Sequence, residues 1–354
     1  MHHFHSRRTH GLGLIDLMVG LAIGMVATVV ILNVMVMFDA RRRSVSGGAD
    51  AQVNAAFAST WLARELRIAG HGLGPSTVLG CKAHRAAAGT LDANFTLAPV
   101  TITQGDDGAP DTLMVLAASE QALPASRLIA PYTIGAGTVT LDSILGITAG
   151  TQLLLHTPGQ ADCALLRVAT TSVGAYTLQP VEVSGLLSDV VFATDSTVVN
   201  LGRLRYRRLM IDAAQRLQLS SFNSASGEWV TSTQSEGVVN LQLQYGFDTR
   251  TGTQTSPQVT HWSDLMLDAD ADGQVGDFGD WQRLVAIRFA LVVRSTQRRE
   301  ASCDAPVPTW LAGDETGELV ATDISLAHIA QWRCWRYRVL QAAVPLRNQL
   351  WREP

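Results

Sequence analysis

Three aspartates at alternating positions, Asp268, Asp270 and Asp272, run into Gly273 and are followed by Asp277 and Asp280. Carboxylates two residues apart repel one another unless a cation lies among them, and oxygen donors in this spacing are the ligands of a calcium loop. In that pattern the three aspartates ligate, Gly273 permits the sharp turn and Gln274 supplies a backbone carbonyl. The twelfth position is Gly279, where an EF-hand carries glutamate. Asp277 or Asp280 therefore has to close the shell, as in the shorter D-x-D-x-D-G-x-x-x-D loops of extracellular proteins. A solvated acidic turn is the alternative. Ca2+ is the one cofactor the sequence points to.

Four cysteines, Cys81, Cys163, Cys303 and Cys334, allow three disulfide connectivities. None forms a C-x-x-C pair, which argues against zinc and against thioredoxin-like redox chemistry. In an oxidising compartment structural bridges are expected. Proximity in sequence favours Cys303 with Cys334 and Cys81 with Cys163, free buried thiols being the alternative. Arg203, Arg205 and Arg207 alternate along one expected strand, with Arg208 beside them. Such a row could touch phosphates, but is more often a solvated strand face. The formal charge is -4, from 27 basic and 31 acidic residues. There is thus no global attraction to nucleic acid, and any such binding would need a local patch. The nine histidines form no H-E-x-x-H. No Walker lysine, no G-x-G-x-x-G after a strand and no G-x-S-x-G elbow occurs. Nothing nominates an active site, and a non-enzymatic role is expected.

The elements that would carry these residues begin with an apolar run over 12–38, long enough at about 1.5 Å per residue to cross a bilayer core of about 30 Å. The run is too long for the h-region of a cleaved signal peptide, and no A-x-A site follows it. It is expected to stay attached as a membrane-spanning stem. Arg7 and Arg8 precede it and Arg41, Arg42 and Arg43 follow it, so the count of basic residues does not set its orientation. Asp16 lies near the start of the span, where a carboxylate is costly unless solvated at the headgroups or paired with a cation. A cut between Gly11 and Leu12 would place a new α-amino group four residues from Asp16. The same charge pair could form between neighbouring subunits, and contacts of that heterologous kind propagate filaments. Gly20 and Gly24 form a G-x-x-x-G spacing that allows close helix approach.

Gly47 and Gly48 predict a kink or loosened turn. Beyond it an amphipathic helix to Ile68 ends at Gly70, Gly72 and Gly74 with Pro75 after them. Val53, Phe57, Trp61, Ala58, Leu62 and Leu66 read as one apolar stripe that a sheet or partner must cover. From Pro75 onward the chain reads as β-rich. Strands are expected at 112–116, 139–141, 152–155, 164–168 and 176–181. A hairpin of 204–211 and 217–222 follows, turning through 212–215, and then strands at 239–247, 284–294 and 333–344. The fold class is therefore α+β: a long N-terminal membrane-spanning helix packed on an antiparallel sheet, with an enlarged β-rich globular region. Length and composition agree. The 354 residues suffice for a sizeable core, and 47% hydrophobic with 16% charged residues exclude disorder, collagen and a polytopic membrane protein.

The segment Gly11-Leu12-Gly13-Leu14-Ile15-Asp16-Leu17-Met18 resembles the class III prepilin signal. There a peptidase cuts after the glycine, the new N-terminus is methylated, and an acidic fifth residue directs assembly. Leu12, Gly13 and Asp16 stand where Phe, Thr and Glu are usual. Tyr245-Gly246, the Asp268–Gly273 run, Trp281, the strand ending Val293-Arg294-Ser295 and the terminal Pro345-Leu346-Arg347-Asn348 resemble the PilW family of type IV pilus minor pilins. By this resemblance 1–11 is a prepilin leader, 12–38 the transmembrane half of the stem and 39–70 its amphipathic periplasmic half. Residues 71–200 are then a β-rich insertion or subdomain, and 201–354 a β-sheet pilin domain with the calcium loop. The resemblance implies a non-catalytic protein that helps prime pilus assembly near the tip. Its partners would be prepilin peptidase, other minor pilins, the major pilin and a tip adhesin. It would sit in the inner membrane by a single pass, with a periplasmic C-terminal domain, before reaching the cell-surface pilus and its roles in adhesion and twitching. Two alternatives remain: a GspJ-type pseudopilin of type II secretion, which shares the leader but is usually shorter, and a signal-anchored periplasmic calcium-binding protein or enzyme that never polymerises.

Overall fold

The computed structural model describes residues 13–85, 94–119, 125–172, 176–180, 190–223, 226–252, 256–298 and 303–350. The chain divides into two compact units, Met1–Asp50 and Ala51–Pro354, with the boundary inside helix α1 (Leu14–Ile68). No proline occurs between Gly13 and Gly74, and the run is dense in Leu, Met and Ala, which favour helix. The turn expected at Gly47-Gly48 is absent, and those residues continue α1. Each glycine costs only about 1 kcal/mol relative to alanine, too little to break a helix supported on both sides. Within the first unit, Leu17–Phe38 has a mean hydropathy of 2.5 and is long and apolar enough to cross a membrane.

The β-rich unit begins with β1 (Lys82–Arg85), β2 (Asn94–Thr96), β3 (Val100–Thr103), β4 (Thr112–Ala117), β5 (Ser126–Arg127), β6 (Tyr132–Thr133) and β7 (Val139–Thr140). There follow β8 (Gln152–His156), β9 (Asp162–Ser172), β10 (Thr177–Pro180), β11 (Val191–Phe192) and β12 (Thr197–Gly202). The remainder holds β13 (Arg205–Ile211), β14 (Arg216–Asn223), β15 (Glu228–Glu236), β16 (Val238–Phe247), β17 (His261–Ser263) and helix α2 (Phe278–Gln282). The last elements are β18 (Leu284–Arg294), β19 (Thr309–Gly313), β20 (Leu319–Asp323), β21 (Tyr337–Pro345) and α3 (Arg347–Leu350).

Three sheets matter for function. The first runs β2-β1-β9-β8-β12-β5, with β10 and β7 attached through β9, and its β1–β9 pair is parallel. The second runs β15-β14-β13-β4-β3 and the third β17-β16-β18-β21. Because β3 and β4 pair into the second sheet with β13, that sheet draws strands from both sides of residue 200. The expected hairpin is β13–β14, whose Asp212 and Gln215 close the turn. The strand expected from Arg333 begins only at Tyr337. Trp332–Cys334 forms a single 3-10 turn after Gln331, whose φ of 53° ends any extended run.

In the β-rich unit α1 buries Ala51, Ala55, Ala58, Leu62, Leu66 and Ala69, at steps of three and four, in a core shared with Leu113, Leu209, Leu241, Leu243, Phe289 and Leu291. The single stripe expected from the sequence is thus two faces: Ala58, Leu62 and Leu66 are covered, whereas Val53 and Phe57 are 67% and 56% exposed. The helix stops at Gly70, whose φ of 77° suits glycine and whose N–H donates to the Leu116 carbonyl at 2.8 Å. Its last carbonyls are met from the far end of the chain. The Asn348 amide Nδ2 donates to the oxygens of Arg67, Ile68 and Ala69 at 3.2, 3.3 and 2.9 Å. A bulge near Val238 to Asn240 in β16 sends Val239 to a separate small core with Val292 and Trp310, and returns Leu241 and Leu243 to the helix side.

Candidate functional site

The aspartate loop lies between β17 and β18 and is folded by its own carboxylates. Asp268 accepts the N–H groups of Asp272 at 3.1 Å and Gly273 at 2.9 Å, and Asp272 accepts that of Gln274 at 2.7 Å. Asp277 caps α2 by accepting the Asp280 N–H at 3.2 Å. Asp280 is fully buried and spans the loop, its two oxygens accepting the N–H groups of Ala269 at 2.5 Å and Gly276 at 2.6 Å. Asp270 belongs to both close groups of carboxylates in the loop. One oxygen each from Asp268, Asp270 and Asp280 lie within 4.8 Å of one another, and so do oxygens of Asp270, Asp272 and Asp277. Asp270 Oδ1 is buried and has no hydrogen-bond partner among the described residues. A Cβ at Gly279 would collide with the Asp270 carboxylate where it now lies, so a larger residue there would displace that side chain.

Burial lifts the carboxyls of Asp277 and Asp280 above the ordinary aspartate range, and neighbouring carboxylates, Asp272 and Asp270 for the first and Asp277 and Asp270 for the second, push in the same direction. A cation among them would reverse that repulsion. The loop is also tied to the rest of the unit. Trp281 Nε1 donates to the Gly276 carbonyl at 3.1 Å and its ring meets Tyr245 edge-on at 6.2 Å. Gly80, at a φ of 81°, sits so close to Asp277 that a Cβ would come within 2.7 Å of its carbonyl carbon. The chain leaving the stem helix therefore butts directly against the loop.

The other expected site residues are distributed as follows. Gly11 and Leu12 lie outside the described residues. Asp16 falls within the backbone of α1, with its side chain outside the description. Gly20 and Gly24 lie about one turn apart on α1, and a Cβ at either would meet nothing within 4 Å. Disulfides join Cys81 to Cys163 and Cys303 to Cys334. Two members of the arginine row are engaged: Arg207 Nη1 donates to the buried Glu65 of α1 at 2.5 Å, and the Arg208 guanidinium lies 4.9 Å from the Trp229 ring centre. Sequence reasoning missed Glu65 and Asn348, both of which act across more than a hundred residues of chain. It also missed the alternation of Trp and Arg over 332–338, which is plain in the letters.

Residues 206–348 match the family model of PilW, described as type IV pilus-assembly protein W. No curated protein and no solved structure matches the chain. The matched span opens in β13, takes in the aspartate loop and closes on Asn348, the residue that caps the stem helix.

Proposed function

From the premise that this chain is a PilW-family protein of type IV pilus assembly, we propose that it is a minor pilin that helps prime assembly and resides near the pilus tip. The observation that carries this reading is the joining of two features in one chain: the match over 206–348 and an apolar helix headed by Gly11, Leu12 and Asp16. In this reading the stem waits in the inner membrane with the β-rich unit on the periplasmic side. Prepilin peptidase cuts between Gly11 and Leu12, and the stem then enters a helical bundle with other minor pilins and the major pilin. The new α-amino group of Leu12 neutralises the carboxylate of Asp16, which makes burial of that charge tolerable and selects one register. Gly20 and Gly24 allow neighbouring stems to approach. The β-rich unit supplies the contacts to companion pilins and to a tip adhesin.

Replacing Gly11 with a bulky residue tests the reading. The expected outcome is an uncleaved precursor that stays in the membrane and is missing from sheared pili; normal processing and incorporation would overturn it. Loss of protein export with intact pili on deletion would instead mark a secretion pseudopilin. Within this reading the aspartate loop takes Ca2+, held by Asp268, Asp270, Asp272, Asp277 and Asp280, with the Gln274 carbonyl completing an all-oxygen shell. For a site of about millimolar affinity, about 10 mM Ca2+ adds about 1.4 kcal/mol of stability. A thermal melt should rise with Ca2+ and fall back with chelator, and Asp270→Asn should abolish the response. An unchanged melt would remove calcium from the account.

A further inference from the structure

The ribbon of β19 and β20 has one edge secured and the other bare. Its hydrogen-bonding phase is set by the bonds that flank it: the Asp314 N–H donates to the Glu318 carbonyl at 2.8 Å, and the Ile324 N–H to the Pro308 carbonyl at 2.7 Å. In that register Trp310 and Ala312 bond to Thr322 and Val320, and the odd-numbered residues of both strands turn their backbone groups away from the ribbon. On β19 those groups are met by side chains of the third sheet. Gln341 Oε1 accepts the Leu311 N–H at 3.0 Å, and the Gln244 amide accepts the Gly313 N–H at 2.7 Å and donates to the Gly313 carbonyl at 3.0 Å. On β20 the matching groups of Leu319, Ala321 and Asp323 have no partner among the described residues.

All five residues of β20 are exposed, Leu319 at 43% and Val320 at 40%, with Leu311 of β19 at 42%. Leu319 and Ala321 share a face with Leu311, while Trp310 and Ala312 anchor the opposite face in a core with Ile324 and Leu326. Folded proteins blunt such an edge with a charge, a proline or a bulge inside the strand. Leu319-Val320-Ala321-Thr322 holds none of these. The longer edge strand β15 is by contrast Thr, Ser, Gln and Glu from Thr231 onward. Charge then decides which strand fits β20. The stretch 314–323 reads Asp-Glu-Thr-Gly-Glu-Leu-Val-Ala-Thr-Asp, four acids and no base. Glu318 and Asp323, at the two ends of the bare edge, are exposed and enter no ion pair among the described residues. A second copy fits poorly. Antiparallel pairing of two β20 strands about Ala321 brings Asp323 of each within one residue of Glu318 of the other, and like charges across a ladder destabilise it.

We infer that β20 receives an extended segment of a different protein, apolar at alternate positions and flanked by Arg or Lys, which joins the ribbon as a third strand. The inference is independent of the pilus reading. Hydrogen exchange of the full chain in neutral detergent, with the peptide Arg-Val-Thr-Val-Thr-Val-Arg in excess, tests it. Exchange should slow over 318–324 and stay unchanged over β15. The same peptide with glutamate at both ends should need about fivefold more for half protection, and joint Glu318→Lys and Asp323→Lys should reverse that preference. Ala321→Pro removes an N–H that faces solvent and no bond of the ribbon. Its fold should therefore persist by circular dichroism, while half protection needs at least about tenfold more peptide. If that variant unfolds, a peptide methylated on its backbone nitrogens carries the same test from the other side and should protect nothing. Absence of protection, equal slowing over β15, or protection indifferent to the proline or to the methylation would each overturn the inference. A peptide-free dimer that Ala321→Pro dissociates would overturn it too, by giving the edge to a second copy.

Discussion

The sheet built on β8, β9 and β12 and the sheet built on β16, β18 and β21 reach the stem helix by different means. The second lays a whole face on α1, with Leu241, Leu243, Phe289, Leu291 and Val293 in one core with Leu62 and Leu66. The first divides its strands. Leu154, Leu165 and Val199 join the helix core, while Leu153, Leu155, Leu166 and Val198 point the other way into a core of their own with Leu128, Tyr132 and Phe192. Period-two alternation lets each sheet serve two cores, and the other face of the second carries Val239, Ala290 and Val292 into a small core with Trp310. The sheet built on β16, β18 and β21 lies wholly inside the span matched by the PilW family model, and the sheet built on β8, β9 and β12 lies outside it. The stem is held from inside the matched span by Leu241, Leu243, Phe289 and Leu291, and from outside it by Leu113, Leu154 and Val199.

Three changes would break or sharpen this comparison. The largest effect is expected at Glu65, where the helix meets the sheet β15-β14-β13-β4-β3, whose strands come from both sides of residue 200. Glu65→Gln leaves Arg207 half-buried opposite a neutral group, and stripping one member from such a pair costs about 3 to 5 kcal/mol. Urea unfolding should show that loss in a single transition. Two separate transitions, with only one shifted, would mean that the two regions are independent.

A smaller effect comes from Asp111. Its carboxyl is buried between the N–H groups of Gly105 at 2.9 Å and Leu243 at 2.7 Å, and burial pushes it up to about 7. The folded chain then holds a proton that the unfolded chain releases near pH 4. Stability contributed by this group is therefore full below about pH 4 and declines as pH climbs to about 7. The expected decline is a few kcal/mol and should vanish in Asp111→Asn. An unchanged slope in that variant would assign the pH dependence elsewhere.

The smallest expected difference separates the disulfides. Cys81–Cys163 spans 82 residues and Cys303–Cys334 spans 31, so opening the first should destabilise by about 0.9 kcal/mol more, by chain entropy alone. Paired Cys→Ala variants compared by denaturant midpoint would measure it. The reverse order would show that the second region depends more heavily on its staple.

Much of the fold was legible because it follows local rules. The 284–294 strand, the β13–β14 hairpin and the apolar stem each carry an unbroken pattern longer than five residues. The two- and three-residue strands β2, β5, β6, β11 and β17 carry too few residues for alternation to register, and tertiary pairing alone defines them, whereas β7 was expected at 139–141. The glycine pair misled because helix continuity on both sides outweighed two local penalties. At the aspartate loop the alternating carboxylates were visible, whereas the bridging of Ala269 and Gly276 by Asp280 was not, since sequence spacing does not say which carboxylate turns inward. Asn348 was legible only as part of the terminal Pro345-Leu346-Arg347-Asn348 run; its contact with the helix end, like the pairing of Glu65, could not be read, because the partners lie more than a hundred residues away.

The most direct test of the assembly mechanism is the mass of the N-terminal peptide of the protein extracted from membranes and from sheared pili. A chain that begins at Leu12 is the predicted result. A mature chain still beginning at Met1 would contradict it, because Asp16 would then lack the amine with which the proposed assembly step pairs it.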